Sequence, residues 1–295
     1  MIELRDDQLP ELVAWLEKGF PASLNIYFLA RNKMRKNSDW PRLTFAVDEF
    51  PNISACVCRA SPDSKGLPTF SNGYYAVFIH ADDAGKLKHL LDQPGIIDWT
   101  QRIGFHSIQR PDNFRVLEEK CLSLGVQVMC NSVADYYVPH ARFAGFNIKD
   151  VHCEYVLPEG YRLGPLGVEN AQQIAEEKHY GDPAVNLAFF QHLIRSGFAS
   201  AAIFNEENRP IAYIVQRPEG VMGAGFVNPN YRGKGYFKVV LYELLKEMGR
   251  RGETLGYADV TTGNKPSETA MTSIGGVFYD GYEGCWCEFI PKISE

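Results

Sequence analysis

The most constraining feature of the chain is the passage Gly225-Phe226-Val227-Asn228-Pro229-Asn230-Tyr231-Arg232-Gly233-Lys234-Gly235-Tyr236-Phe237. It begins as an apolar strand, breaks at Pro229, and enters a helix whose apolar positions Phe237, Val240, Leu241, Leu244, Leu245 and Met248 follow helical spacing. A strand, a glycine-bearing turn and an amphipathic helix in direct succession confine the fold, because the helix must lay its apolar face back on the sheet. The same succession forms an anion cradle. Gly233 and Gly235 let the backbone curl and come close to a ligand, and the helix N-terminus offers unpaired N–H groups at the positive end of its dipole. Arg232, Lys234 and Lys238 add positive charge, and no acidic residue occurs from Tyr231 to Tyr242. The spacing matches neither the Walker loop nor the dinucleotide fingerprint. Taken alone, the four residues from Arg232 to Gly235 would better suit a surface turn; the flanking strand and helix reverse that and favour the cradle.

The rest of the chain sets limits on what that cradle serves. With 295 residues, 45% of them hydrophobic, the protein can bury a sizeable core and form two domains. Its net charge of −6 argues against broad capture of nucleic acid or an anionic membrane, so an anionic ligand must be held locally. Seven cysteines are scattered without a Cys-x-x-Cys, and the pairs Cys56/Cys58 and Cys285/Cys287 sit in strand-like runs where both thiols of a pair share a face. No histidine cluster accompanies them. Buried, reduced thiols and no metal site are therefore expected, in a reducing compartment. The N-terminus lacks the features of a secretory signal or a transit peptide, and no stretch approaches 18 uninterrupted apolar residues. A soluble protein of the cytoplasm or mitochondrion is the expectation.

Helical and strand patterns lapse between Asn147 and Gly160, which sets a domain boundary near residue 150 and divides the chain into 1–150 and 151–295. In the first part the patterns predict helices over Leu9–Gly19, Asp82–Leu91 and Asp112–Leu124, with strands over Leu24–Ala30, Ile53–Ala60, Tyr74–Ala81 and Val126–Cys130. No phosphate-binding glycine loop occurs there. In the second part, helices are predicted over Glu169–His179, Asn186–Ser196, Phe237–Arg251 and Ser267–Ile274. Strands are predicted over Tyr161–Leu166, Ser200–Phe204, Ile211–Gln216, Val221–Val227 and Tyr257–Thr261, then Val277–Tyr279 and Trp286–Pro291.

Arg232-Gly233-Lys234-Gly235 resembles the Arg/Gln-x-x-Gly-x-Gly/Ala pyrophosphate loop of the GCN5-related N-acetyltransferase superfamily, with Phe237 at the sixth motif position. The segment from Asn264 to Gly275 resembles that superfamily's Asn-x-x-Ala-x-x-Leu-Tyr-x-x-x-Gly motif. Asn264 is kept, Ser267 takes the small position, and Met271 stands where the tyrosine would be. In the first part, Phe20 to Tyr27, Val47 to Pro51 and Pro94 to Trp99 are similar in order and spacing to the N-terminal domain of the glycine N-acyltransferases. The resemblance implies an α+β protein of two acetyltransferase-like (GNAT) α/β domains, each with a mixed central sheet. The N-terminal one, 1–150, would be degenerate and the C-terminal one, 151–295, catalytic.

The implied reaction is transfer of an acyl group from acyl-CoA to the amine of glycine or a similar small amine. Acyl-CoA is the co-substrate, with no permanently bound cofactor and no nucleic-acid or membrane partner. The resemblance assigns CoA binding to Phe226, Val227, Arg232, Gly233, Lys234, Gly235, Tyr236, Phe237 and Asn264. A backbone N–H near Phe226 or Val227 would polarise the thioester carbonyl, and a parting between that strand and Tyr257–Thr261 would admit it. Glu219 is the carboxylate closest to where the family's base lies, and it equally suits a turn residue in Pro218-Glu219-Gly220; Asp259 is a second candidate. With the tyrosine acid replaced by Met271, Ser267, four residues earlier on the same helical face, is its candidate substitute; a helix cap or a solvated side chain is the alternative reading. Two rival functions stand beside this reading: an N-acetyltransferase for another amine or a peptide, and a catalytically retired acyl-CoA-binding protein.

Overall fold

A computed structural model describes residues 1–35, 40–61, 75–130, 141–177 and 182–292. The chain forms two compact units, Met1–Ala141 with Gly281–Glu295, and Arg142–Asp280. Residue 150 lies in the second.

The first unit comprises β1 (Ile2–Glu3), α1 (Leu9–Lys18), α2 (Leu24–Met34), β2 (Leu43–Val47), β3 (Ala55–Ala60), β4 (Tyr75–Ala81), α3 (Ala84–Leu91), β5 (Ile103–Arg110), α4 (Asp112–Ser123) and β6 (Met129–Cys130). Its sheet runs β1-β2-β3-β4-β5, antiparallel except for the parallel pair β4–β5. The chain's last strand then pairs antiparallel with β5 through Glu283 to Phe289. Leu87, Leu90 and Leu117 of α3 and α4 join Val77, Ile79 and Phe105 of the sheet in one core. Asp83 starts α3 by accepting the Lys86 N–H at 2.9 Å, as its capping position predicts. Cys56, Cys58, Cys121, Cys285 and Cys287 are buried.

Three expectations are corrected here. Leu24–Ala30 is not a strand but the first two turns of α2, buried throughout. An apolar run without polar interruption carries no period, so pattern alone cannot separate a buried strand from a buried helix. The strand expected over Val126–Cys130 shortens to β6. The two terminal strands are one, β13 (Val277–Phe289), because Asp280-Gly281, a turn signal in sequence, lies inside the strand. Tyr74, His179 and its neighbour Lys178 lie outside the described residues.

The second unit contains β7 (Ala141–Asn147), β8 (Arg162–Gly164), α5 (Ala171–Glu177), α6 (Pro183–Arg195), β9 (Ser200–Phe204), β10 (Pro210–Gln216), β11 (Met222–Val227), α7 (Tyr236–Arg250), β12 (Leu255–Thr261) and α8 (Lys265–Thr272). One sheet has the order β11-β10-β9-β8, antiparallel throughout. The period of two along β10 sorts its faces. Ala212 and Ile214 enter the core built on Val240, Leu241, Leu244 and Leu245 of α7. Tyr213 turns the other way and donates its hydroxyl to Glu177 of α5 at 2.9 Å. Leu244 is fully buried in that core. Leu244→Ala is expected to destabilise the protein by about 2–5 kcal/mol, read as a lower denaturation midpoint in urea.

Candidate active site

The site is built where β11 meets β12. Val221, the residue before β11, makes a parallel bridge to Tyr257 of β12, and among the described residues β11 itself pairs only with β10. The two strands therefore part toward their C-terminal ends, as an inserted thioester arm would need.

Along β11 the register slips by one residue. Tyr213 faces Phe226 and Val215 faces Gly223, so Ile214 alone stands opposite both Ala224 and Gly225. This is a β-bulge, and Ala224 carries its left-handed φ of 52°. Without the extra residue Gly223 and Gly225 would share a face. With it they serve opposite layers: a Cβ on Gly225 would stand 2.6 Å from the Phe237 ring of α7, and one on Gly223 would stand 3.1 Å from Cδ of Arg217. Phe237, the departure from the phosphate-loop motif, is thus accommodated by the missing side chain of Gly225.

The alternation of amides follows from the register. Asn228 donates its N–H to Ile211 at 2.8 Å, so Phe226, two residues earlier, also faces β10. Its ring stacks on Tyr213 with centroids 5.3 Å apart. Val227 faces away from β10, toward the parting, and its carbonyl accepts from Arg232 Nε at 3.1 Å.

Past Val227 the chain makes a single 3-10 turn at Pro229–Tyr231, with Asn228 capping it by accepting the Asn230 N–H at 3.0 Å. Gly233 and Gly235 follow with φ of 78° and 76°, a region costly for residues with a Cβ. Gly235 is the N-cap of α7, and a Cβ on Gly233 would meet nothing within 4 Å. The first helical bond is Val239 N–H to Gly235 carbonyl, leaving the N–H groups of Tyr236, Phe237 and Lys238 at an exposed positive helix end. Lys234 sits over the Tyr231 ring, its Nζ 5.6 Å from the centroid.

At the closed end of the parting lies a buried charged cluster. Glu219 is 5% exposed, in the turn between β10 and β11. Arg217 Nε stands 2.8 Å from Glu219 Oε1, and the Arg217 guanidinium lies over the Phe189 ring of α6 at 5.4 Å. Tyr257 of β12 donates its hydroxyl to the Glu219 backbone carbonyl at 2.7 Å. Burial pushes the Glu219 carboxyl above its ordinary value, against the lowering effect of Arg217. Asp259 follows Tyr257 by two residues on β12 and so shares its face; burial, and then the Asp259 and Glu219 charges, push the Tyr257 phenol far up.

Asn264 is the N-cap of α8, its Oδ1 accepting the Ser267 N–H at 3.3 Å. Met271 is 4% exposed and belongs to the α7 core. Where the motif's tyrosine would stand, this chain has a packing residue. Sequence reasoning did not single out Arg217 or Tyr257. Pro218-Glu219-Gly220 reads as a turn, and only the fold reveals that Glu219 is buried and that the Arg217 guanidinium lies over Phe189 of α6. Among the described residues no group of three or more His, Cys, Asp or Glu is arranged to hold a metal ion. No helix among them is long and apolar enough to cross a membrane.

The FR47-like protein family matches residues 200–287, from β9 to β13. A Drosophila protein of known structure superposes with a TM-score of 0.79 at 19% identity, covering 99% of both chains. A tandem GNAT protein from the clavulanic acid biosynthesis pathway superposes at 0.55 and 12% identity, over 100% of this chain and 99% of its own. The fold is that of the GCN5-related N-acetyltransferases, α+β with two acetyltransferase-like units. Among proteins of assigned activity, the chain is similar to glycine N-acyltransferase of Bos taurus, 23% identical over 252 residues that span 80% of this chain and 82% of the bovine one.

Proposed function

We propose that the protein is an acyl-CoA-dependent N-acyltransferase that acylates glycine or a similar small amine, with the chemistry in the C-terminal part, 151–295. The observation that carries this reading is the parting of β11 and β12, which joins an anion cradle at its open end to a buried carboxylate at its closed end. In this reading Arg232, Lys234 and the amides of Gly233 to Phe237 bind the CoA pyrophosphate. The edge of β11 pairs with the pantetheine arm, the outward amide of Val227 serves as donor, and Asn264 adds a contact to the arm. The neutral amine attacks the thioester carbonyl carbon, forming a C–N bond. Glu219 takes the amine proton, the C–S bond breaks, and the CoA thiolate leaves with the electron pair and is protonated. Ser267 is the proposed donor of that last proton.

The test is direct. Purified protein is incubated with glycine and, in turn, a short-chain, a long-chain and an aromatic acyl-CoA. Free thiol is followed by absorbance and product by mass. Stoichiometric release of CoA with formation of the N-acylglycine is expected. Product with other amines but none with glycine would replace the acceptor. A second reading, acyl-CoA binding without turnover, is favoured by the buried Met271 at the position of the motif's acid. It predicts tight CoA binding without single-turnover thiol release for any amine.

A further inference from the structure

The ion pair between Arg217 and Glu219 is close but incomplete. Arg217 Nε stands 2.8 Å from Glu219 Oε1 yet is not aligned for a hydrogen bond, and Arg217 Nη2 and Glu219 Oε2 are buried without any hydrogen-bond partner among the described residues. Leaving such groups unsatisfied costs free energy, and a half-satisfied buried charge pair is therefore a place to look for a missing ligand. The pair is also held in place. Phe189 lies under the guanidinium, and the absent side chain of Gly223 makes room for the arginine stem on β11, immediately before the bulge at Ala224. Arg217 thus runs along the strand that would present the thioester.

Building on the proposed acyl transfer, we propose that Arg217 is the specificity-determining residue for the acceptor, receiving a carboxylate beside the reacting amine. Two unsatisfied donors on a cation next to an unsatisfied acceptor on an anion are complementary to an α-amino acid, whose carboxylate meets Arg217 and whose amine meets Glu219. An arylalkylamine or other amine without a carboxylate would leave the buried Arg217 Nη2 donor unsatisfied. Sites built to bond a polar group reject analogues that lack it far more strongly than apolar pockets reject a missing methylene. The glycine at 223 and the ring of Phe189 beside the guanidinium favour a small acceptor.

The test compares kcat/KM for glycine with that for glycinamide and ethylamine, using one acyl-CoA, in the wild type, Arg217→Gln and Arg217→Lys. The wild type is expected to prefer glycine by at least about 100-fold. That ratio should fall to within about tenfold in Arg217→Gln and recover in part in Arg217→Lys, which keeps the charge but not the planar fork. Acyl-CoA affinity, measured in parallel, reports folding. A purely structural arginine would lower turnover of all three amines in proportion and leave the ratio intact, which overturns the proposal. So does a wild type that uses glycinamide as well as glycine. If Arg217→Gln fails to fold, the wild-type ratio and its change in Arg217→Lys decide. Absence of product with every amine in the wild type removes the acyltransferase reading and the Arg217 assignment with it, an outcome distinct from a flat acceptor preference.

Discussion

Replacing Glu219 by Gln should lower kcat by about 10²- to 10⁴-fold while leaving acyl-CoA affinity within about twofold, the range expected when a general base is removed. Gln keeps the volume and one acceptor oxygen, so the turn between β10 and β11 and the Tyr257 hydroxyl bond to the residue 219 backbone carbonyl should persist. The sign of the pH dependence follows from burial. Burial raises the Glu219 carboxyl above its ordinary value, so the base is protonated, and inactive, at acid pH and becomes competent as pH rises through that raised value. The wild-type kcat profile should therefore carry an acid limb above the usual carboxylate range, and Glu219→Gln should lose it. The deficit of the variant should shrink at high pH, where solution deprotonates the amine without help. Unchanged kcat in Glu219→Gln would move the role to Asp259, on the same face of β12 as Tyr257, and Asp259→Asn would then show the same pattern.

How much of this was legible beforehand varied with the physical origin of each signal. The glycine turn before α7 was readable because it is local: positive φ at Gly233 and Gly235, positive charge at Arg232 and Lys234, and a helix start fall within a few residues, and each leaves a mark on the sequence. The hairpin of β9 and β10 was readable for the same reason. β5 was not, because buried His106 and Ser107, the latter with a φ of 50°, interrupt the apolar alternation that marks a strand. α2 was misread because its first seven residues are all buried and so show no period. The bulge at Ala224 left no signal, since Gly223, Ala224 and Gly225 are small residues whose opposite facings depend on a register set by β10. Likewise, the burial of Arg217 and Glu219 comes from α6 and β12, about 30 to 40 residues away on either side. Local sequence announces the glycine turn and helix start, whereas the buried cluster at Glu219 is assembled by long-range packing.

Charge reversal at Arg232 is expected to weaken CoA binding by about 100-fold or more, measured by calorimetry against wild type. Arg232 is exposed in the turn three residues before the α7 N-cap, its Nε donating to the Val227 carbonyl at 3.1 Å. Arg232→Glu removes charge-assisted hydrogen bonds to phosphate and sets a carboxylate against it, two losses of the same sign. The Val227 carbonyl loses its donor as well, but it lies in a half-buried strand end where water can replace it. Arg232→Gln should cost much less, because an amide still donates to phosphate. The gap between the two variants should narrow as salt is raised, since exposed charges are screened within about 8–10 Å at physiological ionic strength. A second readout separates cradle from catalysis. At saturating acyl-CoA, kcat in Arg232→Glu should approach that of wild type, whereas Glu219→Gln should remain slow at any acyl-CoA concentration. Equal CoA affinity in Arg232→Glu and wild type would remove the phosphate assignment from this turn, and with it the direction in which acyl-CoA lies along β11.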